Sequence, residues 1–102
     1  MSEFRPVAKV KELHDESALR VEVDGFPIAL VKSEGTLYAC QDTCTHEEAS
    51  LSDGDVFNGL IECPLHGARF DLRTGAVRSL PAVIPLQVFE VTVEGDDILV
   101  KV

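Results

Sequence analysis

The amino-acid sequence predicts an all-β protein, built as a small antiparallel sandwich or barrel. Short runs with the alternating pattern of β-strands recur at about ten-residue spacing, and Gly-bearing turn signals separate them. Apolar residues make up 45% of the 102 residues, which is enough to form one compact core. At roughly 150 residues per domain, this length predicts a single domain that comprises residues 1–102.

The strands are predicted from alternating runs that end at turn residues. The Asp24-Gly25 pair lies between two such runs and is a strong short-range hairpin signal. Asn58-Gly59 marks a second turn, inside a longer run. The predicted runs are, in chain order, Ala18–Val23, Phe26–Lys32, Thr36–Cys40, Asp55–Cys63, Arg69–Leu72, Leu86–Val93 and Ile98–Val102.

Two segments lack a strand pattern. Val7–Leu19 shows partial helical spacing through Val10, Leu13 and Leu19, so a single short helix or a loop is predicted there. Gln41–Ser52 is polar and has no strand period, which predicts a loop. Loops held on a rigid scaffold often carry functional residues.

The charge is strongly acidic and unevenly distributed. Asp and Glu total 18 against 9 Lys and Arg, which gives a net charge of −9. Such a chain repels phosphate backbones and anionic lipid, so neither nucleic acid nor a membrane surface is predicted as a partner. The charge indicates either a protein partner with a basic docking face or solubility alone. Residues 33–68 contain seven acids and no Lys or Arg, and they hold all three cysteines.

No targeting or membrane segment is predicted. No apolar run approaches the ~20 residues of a membrane span. The N-terminus, Met1-Ser2-Glu3-Phe4-Arg5, has no basic region followed by an apolar stretch, so we predict no signal peptide. The cytoplasm is the expected compartment.

Two short pairs of metal-binding residues lie in the acidic middle segment: Cys44-Thr45-His46 and Cys63-Pro64-Leu65-His66. Two soft thiolates and two imidazoles form a metal-binding set. Each pair lies in a predicted turn, so its two side chains can converge on one point. The segment between the pairs is long enough to extend as a hairpin and return. We therefore predict one metal centre with these four ligands.

Other interpretations of the four residues remain open at this point. Cysteines are often small buried hydrophobes, and histidines often only form hydrogen bonds. A disulfide is disfavoured in a cytoplasmic chain. Structural zinc is the serious inorganic alternative, because Cys₂His₂ is a common zinc set. Zinc modules usually pair Cys with Cys and His with His, whereas each loop here supplies one of each.

The mixed pairing resembles the Rieske [2Fe–2S] motif, in which two histidines replace two cysteines on one iron. The similarity covers nearly the whole chain. The chain resembles the small Rieske-type ferredoxins of bacterial aromatic-ring-hydroxylating dioxygenases, such as the biphenyl, toluene and naphthalene systems. The similar runs are Asp42-Thr43-Cys44-Thr45-His46, Leu51-Ser52-Asp53-Gly54, Glu62-Cys63-Pro64-Leu65-His66, Arg69-Phe70-Asp71 and Leu80-Pro81-Ala82 through Val88-Phe89.

This resemblance implies the fold and the ligand arrangement. It implies that Cys44 and Cys63 bind one iron, and that His46 and His66 bind the other and lie toward solvent. It implies a Rieske fold, with an antiparallel sandwich or barrel-like base and an inserted cluster-binding subdomain at about residues 40–79. The segment Leu80–Pro85 matches a proline-bearing loop that shields the cluster in relatives.

The sequence also departs from family patterns. Many relatives have Gly or Leu directly after the first ligand pair, where this chain has Glu47 and Glu48. Respiratory-chain Rieske proteins carry a disulfide between the ligand loops, and Ala49 and Leu65 occupy the matching positions here. Those proteins also place a Ser and a Tyr hydroxyl near the cluster, in the pattern H-G-S-x-Y. Here the run is His66-Gly67-Ala68-Arg69-Phe70, without either hydroxyl.

The remaining cysteine and histidine are not interpreted as metal ligands. Cys40 lies on a strand-like run, four residues before Cys44, and matches no ligand position. We interpret it as a buried structural residue. His14 lies alone among polar residues and is predicted to be exposed.

The resemblance predicts a soluble one-electron carrier rather than an enzyme. No Gly-rich dinucleotide fingerprint or facial triad for mononuclear iron is present in the sequence. The expected partners are a flavoprotein NAD(P)H-dependent ferredoxin reductase and the terminal oxygenase of a ring-hydroxylating dioxygenase. The alternatives are a Rieske-like small subunit of assimilatory nitrite reductase and a structural zinc module. A monomer is expected, and the sequence does not name the aromatic substrate.

Overall fold

Two antiparallel sheets make up the protein in the computed structural model, which describes residues 3–45, 48–65, 67–80 and 84–102. The larger sheet has the strand order β1-β10-β9-β4-β3-β2. Its edge strands β1 and β2 contact each other, which makes the sheet nearly a closed barrel. The strands of this sheet are β1 Phe4–Lys9, β2 Ser17–Val23, β3 Phe26–Ser33, β4 Thr36–Gln41, β9 Val88–Glu94 and β10 Asp97–Lys101.

The smaller sheet has the order β5-β6-β7-β8 and lies between β4 and β9 in the sequence. All four strands fall within the predicted insert at residues 40–79, whose exact limits stay a prediction. A 3₁₀ helix, Leu51–Asp53, leads into this sheet. Its strands are β5 Asp55–Phe57, β6 Leu60–Glu62, β7 Arg69–Asp71 and β8 Val77–Ser79.

Tight two-residue turns set the register of the hairpins. Asp24 and Gly25 have φ values of 52° and 82°, and Asn58 and Gly59 have 51° and 74°. Both central residues of a type I′ turn need positive φ, which Gly and Asn or Asp adopt most easily. The register Val23↔Phe26 and Phe57↔Leu60 across these turns confirms the hairpins predicted from Asp24-Gly25 and Asn58-Gly59.

Strand β3 lies between two cores and is buried on both faces. Ile28 and Leu30 contribute to the core inside the barrel, together with Val100. The alternate residues Ala29 and Val31 pack in a second core with residues of the small sheet. Side chains of a strand point alternately to opposite faces, so the apolar run Ile28–Val31 can serve both cores. The small sheet is therefore attached to the barrel through β3.

The N-terminal segment differs from the sequence-based prediction. Phe4–Lys9 is an edge strand paired with β10, and the only helical structure in the Val7–Leu19 segment is the 3₁₀ helix Val10–Glu12. The prediction of a helix or loop was therefore wrong for residues 7–9 and for residues 17–19, which belong to β1 and β2. The edge of β10 supplies the hydrogen-bond partners that decide the conformation of β1, and the Val10 amide also donates to the Asp96 carbonyl at 2.8 Å. Strand β8 was also not predicted.

The remaining predicted strands are confirmed within one or two residues at their ends, as expected for such boundaries. Cys40 lies on β4 and is fully buried, as predicted, and His14 is exposed. Within the part of the chain that the structure describes, no helix has the length and apolar content needed to cross a membrane.

Candidate metal centre

The first predicted ligand loop starts where β4 ends and returns at the 3₁₀ helix Leu51–Asp53. Its two arms pair as a short ladder. The Leu51 amide donates to the Asp42 carbonyl at 2.7 Å, and Thr43 and Ser50 form an isolated β-bridge. Next along the arms, the Cys44 amide donates to the Ala49 carbonyl at 2.9 Å. His46 and Glu47 lie outside the described residues.

The second predicted ligand loop connects β6 to β7. The Cys63 amide donates to the Ala68 carbonyl at 2.7 Å, and Glu62 pairs with Arg69 one step further from the loop. The Arg69 Nε donates to Glu62 Oε1 at 2.7 Å, and its guanidinium lies 5.1 Å from the centre of the Phe57 ring. These side-chain contacts stabilise the β6–β7 hairpin beside the loop. His66 lies outside the described residues.

The two loops share one backbone pattern. In each, a predicted ligand cysteine donates its amide to the carbonyl of the residue five positions later, Ala49 or Ala68. In the sequence, His46 and His66 lie between the two ends of these hydrogen bonds. The two loops are therefore closed by the same hydrogen bond, although one contains C-x-H and the other C-x-x-H. The span of this hydrogen bond is common to both loops, and the spacing from cysteine to histidine is not.

The loops pack directly against each other. A Cβ atom on Gly54, just after the first loop, would lie 1.8 Å from the Glu62 carbonyl oxygen and 3.2 Å from the Pro64 Cδ. A real Cβ does not approach a carbonyl oxygen this closely, so only glycine allows this approach of the two backbones. Gly54 therefore brings the two predicted cysteine-bearing loops together.

Both predicted ligand cysteines are buried in the core between the two sheets. Cys44 is 4% exposed and Cys63 is 1% exposed, and they share this core with Ala68 and Phe70. This environment fits the predicted cofactor, because thiolate ligands of iron–sulfur clusters are commonly held in dry surroundings that tune the potential. The assignment of all four ligands stays a prediction, because the two histidines are not described.

Cys40 belongs to the same core but has a different chemistry. Burial, and secondarily the charge of Asp42, raises the pKa of the Cys40 thiol to about 12. The thiolate is the nucleophilic and metal-binding form of cysteine. Cys40 is therefore a neutral thiol at physiological pH, which agrees with its interpretation as a structural residue.

A third segment, residues 84–87, closes one side of the site. The Thr45 hydroxyl donates to the Ile84 carbonyl at 2.6 Å, and the Leu86 amide donates to the Gly75 carbonyl at 2.8 Å. The Gln87 amide donates to Oε1 of Gln41 at 2.7 Å. This segment follows residues 81–83 of the predicted shielding loop, which lie outside the described residues. Leu80 and Ile84, the described residues on either side of 81–83, are exposed.

The surface beside the first loop is acidic. An open groove of about 570 Å³ runs along this loop, and Arg20, Glu48 and Asp53 are among the residues that line it. Glu48, Asp53 and Asp55 are all exposed. Negative surface potential of this kind attracts partners with basic docking faces.

Sequence comparison identifies the family. Residues 3–90 match the model of the Rieske [2Fe-2S] domain. This chain belongs to the Rieske [2Fe-2S] domain family. The match confirms the predicted resemblance, and it supports a Rieske-type [2Fe–2S] cluster as the cofactor.

Named relatives agree with this family. The chain is 45% identical over 82 residues to the ferredoxin component of biphenyl 2,3-dioxygenase from Rhodococcus jostii (strain RHA1), covering 80% of this chain and 77% of the relative. The ferredoxin of carbazole 1,9a-dioxygenase from Nocardioides aromaticivorans IC177 has a TM-score of 0.87 and 40% identity, with 95% of each chain covered. These similarities confirm the all-β Rieske fold.

A third comparison concerns an assembly. The ferredoxin-like chain in a solved complex of reduced oxygenase and oxidized ferredoxin of carbazole 1,9a-dioxygenase matches with a TM-score of 0.89. The identity is 38%, and the match covers 95% of this chain and 91% of the other.

The sequence did not single out three features of this site. The buried Asp42 carboxylate, the close approach at Gly54 and the Thr45–Ile84 hydrogen bond all depend on contacts between residues that are not neighbours in the sequence. A signal for Asp42 was present, since it is an acidic residue directly at the end of a strand and two residues before Cys44. Burial is what distinguishes it from the other acids, and composition does not reveal burial.

Proposed function

We propose that this protein is a one-electron carrier that accepts an electron from a flavoprotein NAD(P)H-dependent ferredoxin reductase and delivers it to the terminal oxygenase of a ring-hydroxylating dioxygenase. The observation that carries this proposal is the pair of equivalent, buried cysteine loops in a chain that is 45% identical to a dioxygenase ferredoxin component. The reductase draws on a nicotinamide cofactor, so we place the carrier in the cytoplasm.

In this proposal Cys44 and Cys63 bind one iron, and His46 and His66 bind the other. When bound, the cluster supplies a one-electron redox couple. The protein's own residues hold the two thiolates in a core from which water is excluded, and the backbone bonds to Ala49 and Ala68 fix both loops. The rigid antiparallel base beneath them keeps this arrangement the same when the charge of the site changes.

The partner surface is proposed from the complex of the related ferredoxin with its oxygenase. The exposed acids Glu48, Asp53 and Asp55 lie on and beside the first ligand loop. A basic docking face on the oxygenase and on the reductase would complement this surface and steer the encounter. A small carrier of this kind must bind and release its partners quickly. Long-range electrostatic attraction favours fast association rather than tight binding.

Reconstitution tests the proposal. The purified chain is combined with NADH, a flavoprotein ferredoxin reductase and the terminal oxygenase of a biphenyl or carbazole dioxygenase, and NADH oxidation and ring hydroxylation are both followed. Product should form only when this chain is present, and the Cys63→Ser variant should not support it. Failure of every reductase and oxygenase pair to turn over would contradict the carrier role.

Simple measurements on the purified protein separate the carrier from the zinc module and from the nitrite reductase subunit. A brown protein with visible absorption and two irons per chain excludes a structural zinc module. Stable co-purification with a large sirohaem-containing subunit would reassign the chain as a small subunit of assimilatory nitrite reductase.

A further inference from the structure

Asp42 is the only charged side chain that is buried within residues 3–45, 48–65, 67–80 and 84–102, and it is 2% exposed. It directly follows β4 and lies two residues before Cys44. Burying a carboxylate away from water costs free energy unless hydrogen bonds satisfy its oxygens. A buried carboxylate at this point therefore indicates a specific set of partners.

Both carboxylate oxygens have donors. The Ser52 amide donates to Oδ1 at 2.9 Å, and the Ser50 hydroxyl donates to Oδ2 in a short hydrogen bond. Arg20 of β2 places its Nε 3.3 Å from Oδ2. An ionised carboxylate is an acceptor only, with several lone pairs, so it can accept both hydrogen bonds while it forms an ion pair with Arg20. We call these four residues the Asp42 network.

The backbone of Asp42 connects the same parts of the molecule. Its amide donates to the Pro27 carbonyl of β3 at 3.1 Å, and its carbonyl accepts from the Leu51 amide at 2.7 Å. Asp42 is thus attached to two strands of the barrel, through Pro27 and Arg20. It is attached to the returning arm of the first ligand loop through Ser50, Leu51 and Ser52.

The network lies at the base of the ladder that leads to Cys44. Thr43 bridges to Ser50, and Cys44 donates to Ala49. In paired extended segments a slip of one residue turns every side chain to the opposite face. A slip at the base of this ladder would move the Cys44 side chain away from the core that it shares with Cys63.

We propose that Asp42 is a positioning residue, which fixes the register of the first ligand loop and thereby the orientation of Cys44 toward the cluster. This inference rests on the assignment of Cys44 as a ligand in the proposed function. The second loop achieves the same result differently. Its described contacts include the β6–β7 register, the Cys63–Ala68 backbone hydrogen bond and the exposed Glu62–Arg69 pair, and none of these involves a buried charge.

The test compares Asp42→Asn with Asp53→Asn in the cluster-loaded protein. Asp53 belongs to the same loop region and lines the same groove, but it is exposed, so its variant makes the same change in charge without touching the network. Asp42→Asn removes the negative charge that faces Arg20 and replaces one acceptor oxygen with an NH₂ group, which cannot accept the hydrogen bond that this oxygen received. We expect iron loss to a chelator to be at least about ten times faster than in the wild type. We also expect shifted electron paramagnetic resonance g-values in the reduced protein.

A second pair of variants keeps the proposal testable where Asp42→Asn does not fold. Ser50→Ala removes one donor to Asp42, whereas Ser50→Thr keeps the hydroxyl. Ser50→Ala should show faster iron loss and altered g-values, and Ser50→Thr should restore wild-type behaviour. If Ser50 and Asp42 contributed only to overall stability, replacing them would lower the melting temperature and leave the g-values of the intact holo-protein unchanged.

Two results would overturn the proposal, and they are distinguishable. Wild-type g-values and rates of iron loss in Asp42→Asn, or in Ser50→Ala where that variant alone folds, would show that Asp42 does not position the loop. Retention of the full Rieske signal in Cys44→Ser would instead refute the ligand assignment itself, and the positioning role with it.

Discussion

The six-stranded sheet and the four-stranded sheet are both antiparallel, but different interactions hold them together. Strands of the larger sheet have five to eight residues, and their hairpins pair along their whole length. Each strand of the smaller sheet has three residues. Three-residue strands supply few ladder hydrogen bonds, and small sheets need packing against something else for stability.

The smaller sheet obtains that support from close backbone contacts and from the core that contains the predicted cysteine ligands. Gly54 and Gly75 each allow an approach that no other residue permits, to the Glu62 carbonyl and the Leu86 carbonyl respectively. The glycines of the barrel hairpins, such as Gly25, have no atoms within 4 Å of a would-be Cβ. We therefore expect strand pairing to be sufficient to hold the barrel together, and the small sheet to depend also on its contacts and on its cofactor.

The largest expected effect comes from removing a ligand. We expect His46→Ala and His66→Ala each to lose the cluster, so that iron and sulfide analysis finds neither in the purified variants. Metal binding contributes folding free energy where the site does not exist in the unfolded chain. Amide hydrogen exchange should therefore speed up at the paired residues Ile61 and Phe70 of the small sheet, and stay slow at Val31 and Tyr38 of the barrel.

Two outcomes would contradict this view. Two irons per chain in both histidine variants would refute the ligand assignment. Equal loss of protection in both sheets would show that the barrel also depends on the cluster, and that the two regions unfold as one unit.

A smaller effect is expected from two glycine substitutions that differ only in their surroundings. Gly25 and Gly75 have φ values of 82° and 81°, so alanine suffers the same backbone strain at both, about 1–2 kcal/mol. At Gly75 the new Cβ would also lie 2.1 Å from the Leu86 carbonyl oxygen, and the conflict should cost about 1–3 kcal/mol more. Urea unfolding of Gly25→Ala and Gly75→Ala measures the difference directly.

The Gly75 contact also connects the small sheet to segment 84–87, because the Leu86 amide donates to the Gly75 carbonyl. Gly75→Ala should therefore increase the accessibility of that segment to protease as well. Equal destabilisation by the two substitutions would mean that segment 84–87 moves away without cost, and that it does not hold the small sheet.

The same contrast explains which parts of the fold the sequence could predict. The barrel hairpins were predicted because their turns carry local signals: Asp24-Gly25 and Asn58-Gly59 have the residues that positive φ demands. Strand β1 was missed because its last three residues fall in a segment with partial helical spacing, and Pro6 within it is compatible with a strand only at a sheet edge. Whether a segment lies at an edge depends on the pairing of β1 with β10, from opposite ends of the chain, and no local pattern shows this.

The predicted site divides in a similar way. Cys44 and Cys63 were predicted as ligands because a pair of Cys and His residues in each of two loops has a specific chemistry, whatever the fold. Asp42 was not recognised as a special residue, because the chain has 18 acidic residues and only burial distinguishes this one. Its burial follows from Arg20 and Pro27, which reach it from β2 and β3.

A more modest effect is expected on the reduction potential. Ala68 and Phe70 are fully buried in the same core as the predicted ligand cysteines, at the positions that match the Ser and Tyr hydroxyls of respiratory-chain Rieske proteins. A hydroxyl donor to a cluster sulfur stabilises the reduced form more than the oxidised form and raises the potential. We expect a wild-type potential at the low end of the Rieske range, near ~−150 mV. Ala68→Ser or Phe70→Tyr should raise it by tens of millivolts in protein-film voltammetry at pH 7.

Ala39→Ser is the matched control for this experiment. Ala39 is also buried, but it packs in the barrel core, so its new hydroxyl should leave the potential unchanged. A wild-type potential above zero would refute the hydroxyl argument, and an equal shift in Ala39→Ser would show that the potential responds to core polarity in general.

The smallest expected effect concerns the charges of the two regions. Glu48 lines the groove beside the first ligand loop, and Glu47 precedes it in the sequence, whereas Glu90 and Glu94 lie on β9 of the barrel. Replacing Glu47 and Glu48 with Gln removes two negative charges near the proposed docking surface, and replacing Glu90 and Glu94 with Gln removes two from the barrel.

Exposed charges are screened beyond roughly 8 Å at physiological salt, so only charges close to the contact between carrier and reductase should affect the rate of reduction by the reductase. We therefore expect the Glu47/Glu48 variant to be reduced more slowly and to show a weaker dependence on ionic strength, while the Glu90/Glu94 variant keeps the wild-type rate and salt slope. If both variants change alike, the attraction depends on the net charge of −9 as a whole and not on a local acidic surface.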